Sequence, residues 1–270
     1  MRRVMAMLTA LMLVICMAGC GSKDDNTFVV GMECNYAPFN WTQTEDSDTA
    51  VEIADGSGYA DGYDVRIAQM IADGLGKELV IEKIEWDGLT MAVQSDKIDA
   101  IIAGMSPTEE RKATIDFTDA YYESELVIVV RADSPYANAT SLADFAGARI
   151  TGQLNTFHYT VIDQIPDADI QLAMADFPTM IVSLQSGNID GYVSELPGAI
   201  SAASANSDLT YVQFAQGQGF ACDPADSSVA VGLKKGSDLT DDINEILAGL
   251  SREQRQQLMD AATADQPLAE

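Results

Sequence analysis

Arg111 has the most specific chemistry to offer in this chain. It is one of six arginines beyond residue 19. It follows the turn-forming run Gly104-Met105-Ser106-Pro107-Thr108, which itself leaves the apolar stretch Ala100–Ala103. A guanidinium is planar and permanently charged, and its fork of donors grips a carboxylate at two points. Its place just past a strand exit suits the rim of a cleft. The alternative use is a surface salt bridge to Glu109 or Asp116. Other reactive groups are scarce or unpatterned. His158 is the single histidine, which excludes a histidine metal cluster. There is no C-x-x-C pair, no G-x-S-x-G elbow, no phosphate-binding P-loop and no G-x-G-x-x-G run. Carboxylates are abundant, but no pair of them stands out as a hydrolytic dyad. This inventory favours binding over turnover: no catalytic residue, metal or cofactor is expected.

The charge balance points the same way. The chain has 15 basic and 42 acidic residues, a net charge of −27. A nucleic-acid binder needs the opposite sign. The acidic field either attracts cationic solutes or serves solubility. Four cysteines occur. Cys16 and Cys20 belong to the N-terminal segment. Cys34 and Cys222 remain, either as a disulfide or as two free thiols.

Elements that alternate in type must position these groups. Thr27–Met32, Ala100–Ala103, Leu126–Val130, Arg149–Thr151, Ile170–Ala173 and Ser228–Leu233 read as strands. A helix is expected over Gly62–Leu75, with Val65, Ala68, Ile71 and Leu75 on one face. Shorter helices fit Leu89–Gln94, Thr156–Ile165, Pro178–Gln185 and Pro197–Ala205. A final helix starts from the capping signal Ser251…Gln254. This alternation predicts an α/β fold with largely parallel sheets. Gln94-Ser95-Asp96-Lys97-Ile98-Asp99-Ala100 recurs as Gln185-Ser186-Gly187-Asn188-Ile189-Asp190-Gly191, which suggests two similar lobes. Thr44–Gly62 reads as a surface loop insertion, and Asp133–Asn138 and Gly217–Asp226 as crossovers between lobes.

At the N-terminus, Arg2 and Arg3 precede an uncharged run, Val4–Ala18, shorter than a membrane span. Its end, Val14-Ile15-Cys16-Met17-Ala18-Gly19-Cys20, resembles a bacterial lipobox. The reading is a lipoprotein signal peptide over 1–19, a diacylated Cys20 and a polar tether over 20–26. About 245 residues then remain, enough for two lobes with cores of their own.

Several blocks taken together carry a family resemblance. They are Trp86-Asp87-Gly88-Leu89, the stretch Ile98–Arg111, Asp116-Phe117-Thr118-Asp119-Ala120-Tyr121-Tyr122, Tyr36-Ala37-Pro38-Phe39, Gly62-Tyr63-Asp64-Val65, Gln153-Leu154-Asn155-Thr156 and Val193-Ser194-Glu195-Leu196-Pro197. In this order they closely resemble the polar amino-acid-binding proteins of ABC importers, the family 3 solute-binding proteins. The resemblance implies a type 2 periplasmic-binding-protein fold: two α/β lobes joined by a two-strand hinge, with ligand between them. One lobe would comprise 27–130 and 222–270, the other 131–221.

The resemblance also implies roles. Arg111 would clamp the ligand α-carboxylate, helped by the Gly104-Met105-Ser106 segment and by the amides of Thr156 and Phe157. Glu195 and the Gly104 carbonyl would take the α-ammonium. Asn155 stands where relatives have glycine, and asparagine tolerates the left-handed backbone such a turn requires. His158 beside this loop reads as a hydrogen-bonded structural residue. Tyr36 and Trp86 would wall the side-chain pocket and suit a cation. Glu33 would meet a distal positive charge. The expected ligand is therefore lysine or arginine, with histidine or glutamine as the alternative. The protein would act as a monomer that docks on ABC permease subunits and is held to the membrane by its lipid. An enzyme of dehydratase type or a ligand-sensing domain on the same scaffold are the competing functions.

Overall fold

The strands with the most continuous apolar sequence form the centres of two sheets. The computed structural model describes residues 25–223 and 226–267; the expected signal segment and Cys20 lie outside them. In the first sheet, β1 (Thr27–Met32) lies between β6 (Glu78–Lys83) and β7 (Ala100–Ile101), followed by β14 (Ser228–Leu233) and β8 (Asp116–Glu123). In the second, β10 (Arg149–Thr151) lies between β11 (Asp169–Ile170) and β12 (Gly191–Glu195), followed by β9 (Leu126–Arg131) and β13 (Leu209–Val212). Every residue of β12 and β14 is buried, as is all of β9 except Arg131. Strands covered on both faces read as unbroken apolar runs rather than alternating ones.

Each sheet is mixed, not largely parallel. The first three strands of each order run parallel, and the fourth runs antiparallel to both of its neighbours. The reversed strand in each sheet, β9 or β14, is the one the chain enters after crossing from the other lobe. The two crossings lie side by side: the Ser124 amide donates to the Ser227 carbonyl at 3.0 Å. The boundary expected at 130 falls inside β9, which pairs wholly within the second sheet.

The repeated heptapeptides have one structural job. Each follows a nine-residue helix, α2 (Trp86–Gln94) or α5 (Phe177–Gln185), and leads into the third strand of its sheet. Asp99 Oδ2 accepts from the Val29 amide at 2.8 Å, and Asp190 Oδ2 accepts from the Arg149 amide at 2.9 Å. Ile98 and Ile189 are buried beside them. The same aspartate-to-strand tie in both lobes explains why the sequence repeats.

The first long helix, α1 (Tyr63–Leu75), buries Val65, Ala68 and Ile71 completely and packs Leu75 against the same core. After α7 (Leu239–Ala248), the last helix, α8 (Arg252–Asp265), starts from the expected box: Gln254 N donates to Ser251 Oγ at 3.2 Å, and Gln254 Oε1 accepts from Ser251 N at 2.9 Å. Beyond it, Gln266 Nε2 donates to the Ser201 carbonyl on α6 (Leu196–Ala205), tying the chain end to the second lobe at 3.2 Å. The expected helix over Thr156–Ile165 is one α-turn, α4 (Phe157–Thr160), continued as a 3-10 turn.

The stretch expected to be a surface loop insertion is instead partly a sheet. Val51–Glu52 (β4) and Tyr59–Asp61 (β5) pair antiparallel, and β5 pairs with Asn40–Gln43 (β3), which pairs with Asn35–Tyr36 (β2). Its polar and glycine-rich composition hid strands of two or three residues. This small sheet matters because it carries Tyr36. Cys34 is buried and Cys222 exposed, and both are free thiols.

Candidate functional site

The ends of four strands converge between the lobes. Glu33 follows β1, Ala103 and Gly104 follow β7, Gln153 follows β10, and Glu195 ends β12. Sheets of this kind gather ligand groups at the carboxyl ends of their strands. The cleft is lined by Glu33, Tyr36, Trp86, Ala103, Gly104, Ser106 and Arg111 from one side and by Gln153, Thr156, Phe157 and His158 from the other. These side chains close directly on one another and leave about 10 Å³ of free space, room for one water.

Arg111 sits on the short helix α3 (Glu109–Lys112), where Thr108 caps its amide. Its Nη1 donates to the Ser106 carbonyl at 2.9 Å, and its Nη2 crosses the cleft to the Asn155 carbonyl at 3.1 Å. The guanidinium lies over the Trp86 ring at 5.0 Å. Burial pulls its pKa down to about 10, with Glu110, Glu195 and Asp226 opposing, so it stays cationic at neutral pH. The surface salt bridge does not form: Glu109 pairs with Lys112 at 2.9 Å and Asp116 with Lys235 at 2.7 Å.

The Gly104 turn is held from beneath. Gly104 adopts φ +60, and a Cβ there would lie 3.2 Å from the Tyr36 ring. Its amide donates to Tyr121 Oη at 3.2 Å, and that hydroxyl donates to Asp64 Oδ1 at 2.7 Å. Asn40 Nδ2 also donates to Asp64, at 2.8 Å. Burial pushes the Asp64 carboxyl up to about 6. Met105, expected at the site, is not among the lining residues. Its side chain belongs to the core, and its carbonyl accepts from Ala230 N at 3.0 Å. The turn exposes Gly104 and Ser106 and tucks the apolar residue between them inward.

Tyr36 forms a wall. Its ring stacks on Phe177 of α5 at 3.9 Å with an 8° tilt, and on Phe39 at 4.9 Å. Its hydroxyl donates to Glu195 Oε2. Trp86 Nε1 donates to the Asn155 carbonyl at 3.4 Å, and Asn155 Nδ2 donates to Asp87 Oδ1 at 2.8 Å. Asn155 adopts φ +55, the left-handed turn in which asparagine replaces glycine. Thr156 Oγ1 donates to the Gln153 carbonyl at 2.7 Å, closing this loop.

The two carboxylates differ sharply. Glu33 is 4% exposed and accepts from Gln153 Nε2 at 3.1 and 3.3 Å. Among the described residues no cationic side chain forms a salt bridge with it. Burial pushes its pKa up to about 7; Asp176, Glu85 and Asp87 add to this, and the Gln153 hydrogen bond opposes it. Glu195 does not line the free space. It lies beneath Tyr36 and His158, 1% exposed, with His158 Nε2 at 2.8 Å from Oε2. Burial raises its pKa, but the His158 ring and the Tyr36 hydroxyl outweigh that and hold it below the ordinary carboxylate value.

Eight of the ten expected ligand-site residues therefore share one cleft. Sequence reasoning did not place the Gln153 side chain or His158 in it, nor Phe177 against Tyr36 at its edge. Gln153 and Asn155 stood in a recognised block, but nothing local shows that their side chains cross between lobes. Phe177 directly precedes an expected helix start, and its partner Tyr36 is 141 positions away.

This fold and this cleft are those of a two-lobed solute-binding protein. The chain belongs to the bacterial extracellular solute-binding proteins, family 3, matched over residues 28–261. It is 25% identical to the arginine-binding extracellular protein ArtP of Bacillus subtilis over 92% of each chain. It is 30% identical to a probable histidine-binding protein of Campylobacter jejuni, over 78% of this chain and 80% of that one. An amino acid ABC transporter substrate-binding protein from Streptococcus pneumoniae, solved bound to L-arginine, superposes with a TM-score of 0.75 at 28% identity, covering 88% of this chain and 94% of that one. The chain is thus an amino-acid-binding protein of the ABC-transporter type with the type 2 periplasmic-binding-protein fold, and it works outside the cytoplasm.

Proposed function

We propose that this protein captures a cationic amino acid, arginine or lysine, and delivers it to the permease of an ABC importer without chemically altering it. The observation that carries the substrate assignment is Glu33, a buried carboxylate at the end of β1 that no cationic side chain pairs among the described residues. A guanidinium or ammonium entering from the Arg111 side meets it after passing between Tyr36 and Trp86. Arg111 takes the α-carboxylate, with the backbone of Gly104, Ser106, Thr156 and Phe157 around it. The free space is smaller than any amino acid, so entry requires the lobes to part about the two crossings and close again. The relatives that bind arginine support this choice.

Glutamine is the second substrate reading, favoured by Gln153. Its carboxamide already donates to Glu33 at 3.1 Å, and a ligand carboxamide fits the same geometry. We also propose that residues 1–19 are removed and that Cys20 is lipidated, anchoring a monomer to the outer face of the cell membrane. Residues 27–124 with 222–270, and 125–221, are proposed as the two lobes, the first crossing lying between β8 and β9 rather than at 130.

A thermal-shift screen of the common amino acids on the domain starting near residue 23 tests the substrate class, because a ligand that binds the native state raises its melting temperature. Arginine and lysine should give the largest rises. No rise with arginine, lysine or histidine, together with a rise for glutamate, would overturn the cationic reading.

A further inference from the structure

Asn155 is bonded to the opposite lobe by both its backbone and its side chain. Its carbonyl accepts from Arg111 Nη2 at 3.1 Å and from Trp86 Nε1 at 3.4 Å, and its Nδ2 donates to Asp87 Oδ1 at 2.8 Å. The bonds to the carbonyl use backbone that any residue would supply. The bond to Asp87 needs the asparagine side chain. A carboxylate is acceptor-only, so the amide must turn a proton toward it, and the bond is charge-assisted. Asp87 lies in the first turn of α2, where a helix end favours a carboxylate. It forms no salt bridge among the described residues.

Neither Asn155 nor Asp87 lines the cleft, and both are exposed. Contacts inside the cleft, such as Gln153 to Glu33, hold room that a ligand must take. The Asn155–Asp87 bond stands outside that room, so a bound amino acid leaves it in place and parting of the lobes breaks it. The residues bonded to the Asn155 carbonyl do line the cleft, with the Arg111 guanidinium over the Trp86 ring at 5.0 Å. A loop pinned by its side chain therefore holds both of them. Resting on the amino-acid-capture reading, we propose that the Asn155 side chain and Asp87 form a latch at the rim of the cleft that sets how long a captured amino acid stays, whatever that amino acid is. Asn155 is a positioning residue, acting through Arg111 and Trp86. The latch engages only after the ligand has entered, so it slows release and leaves the rate of capture unchanged.

Stopped-flow binding of arginine, lysine and glutamine to variants of the full-length chain tests this. Asn155→Asp keeps the size and tolerates the left-handed backbone but sets two carboxylates face to face. It should raise the dissociation rate about tenfold or more for each amino acid that binds the wild type, with the association rate within about twofold. Adding Asp87→Asn in that background reverses donor and acceptor, and should return the dissociation rate to within about threefold of the wild type. Asn155→Gly keeps the turn and removes only the amide, and should raise the rate about three- to tenfold. An unchanged dissociation rate in Asn155→Asp, or a swapped pair that rescues nothing, overturns the proposal. So does a factor for arginine that differs clearly from the factor for glutamine, since that would put Asn155 against the ligand side chain. A lowered melting temperature of unliganded Asn155→Gly would make the pair a structural contact and overturn it as well. Failure of the wild type to bind any of the three amino acids would overturn the capture reading and this inference with it, whereas normal binding without rescue by the swapped pair sinks this inference alone.

Discussion

Glu33 ties the substrate assignment to pH. Its carboxyl has a pKa of about 7, raised mainly by burial and further by Asp176, Glu85 and Asp87. A distal guanidinium or ammonium requires the ionised form. The apparent dissociation constant then scales inversely with the fraction of Glu33 that is ionised. Affinity for arginine should fall about 100-fold from pH 8 to pH 5, roughly tenfold per unit below the midpoint. At pH 7 close to half the molecules carry the proton, so binding should release about half a proton per site. Stability without ligand moves in the other direction. The native pKa of about 7 lies above the reference value of 4.5, so the native state holds the proton more tightly than the unfolded chain. That contribution is complete below pH 4.5 and is lost as the pH rises through 7, a change of about 3 kcal/mol. Glu33→Gln should weaken arginine binding by tens- to about a hundredfold, abolish the proton release and flatten both pH profiles. Isothermal titration in buffers of different ionisation heat reads affinity and proton release together. Wild-type affinity that is flat from about pH 5 to 8 with no proton released, or a Glu33→Gln variant that binds arginine normally, would refute the reasoning.

Other residues give shorter tests. Arg111→Ala should lower affinity for every amino acid at least about 100-fold by calorimetry, because a charge-assisted fork is lost whatever the side chain of the ligand. Gly104→Ala should fold but bind about tenfold more weakly. The left-handed φ costs about 1–2 kcal/mol for alanine, and the new Cβ presses the Tyr36 ring that faces the cleft. Phe177→Ala should raise the ligand dissociation rate measured by stopped flow, since the 3.9 Å stack on Tyr36 joins the two lobes. Cys20→Ser should release the protein from the membrane fraction into the soluble one, read by fractionation and immunoblot, because a single removed acylation site leaves no stable anchor.

Much of the scaffold was legible because its signals are local. The β-branched runs Leu126–Val130 and Ser228–Leu233 gave strands with the observed cores. The period of Val65, Ala68 and Ile71 gave α1, and Ser251 with Gln254 gave a cap whose two hydrogen bonds both form. The small sheet of β2 to β5 was not legible. Its strands are two to four residues long, too short for a period-2 pattern to separate from loop composition. The direction of strands within each sheet was hidden as well. It depends on the chain leaving one lobe and re-entering it, and pairing across that distance leaves no local mark.

The sequence by itself determined the kind of site: a guanidinium past a strand exit, a carboxylate at the end of β1 and aromatic walls, embedded in family blocks. Local backbone chemistry and residue type suffice for that. Only the tertiary structure decided what each group touches. Arg111 bonds carbonyls of both lobes instead of Glu109 or Asp116, Met105 turns into the core, Gln153 reaches Glu33, and His158 stands in front of Glu195. The Arg111–Asn155 and Gln153–Glu33 contacts join different lobes, and His158–Glu195 joins distant segments of one lobe. Their geometry follows from how the two sheets meet, and the information for that meeting is spread over the whole chain.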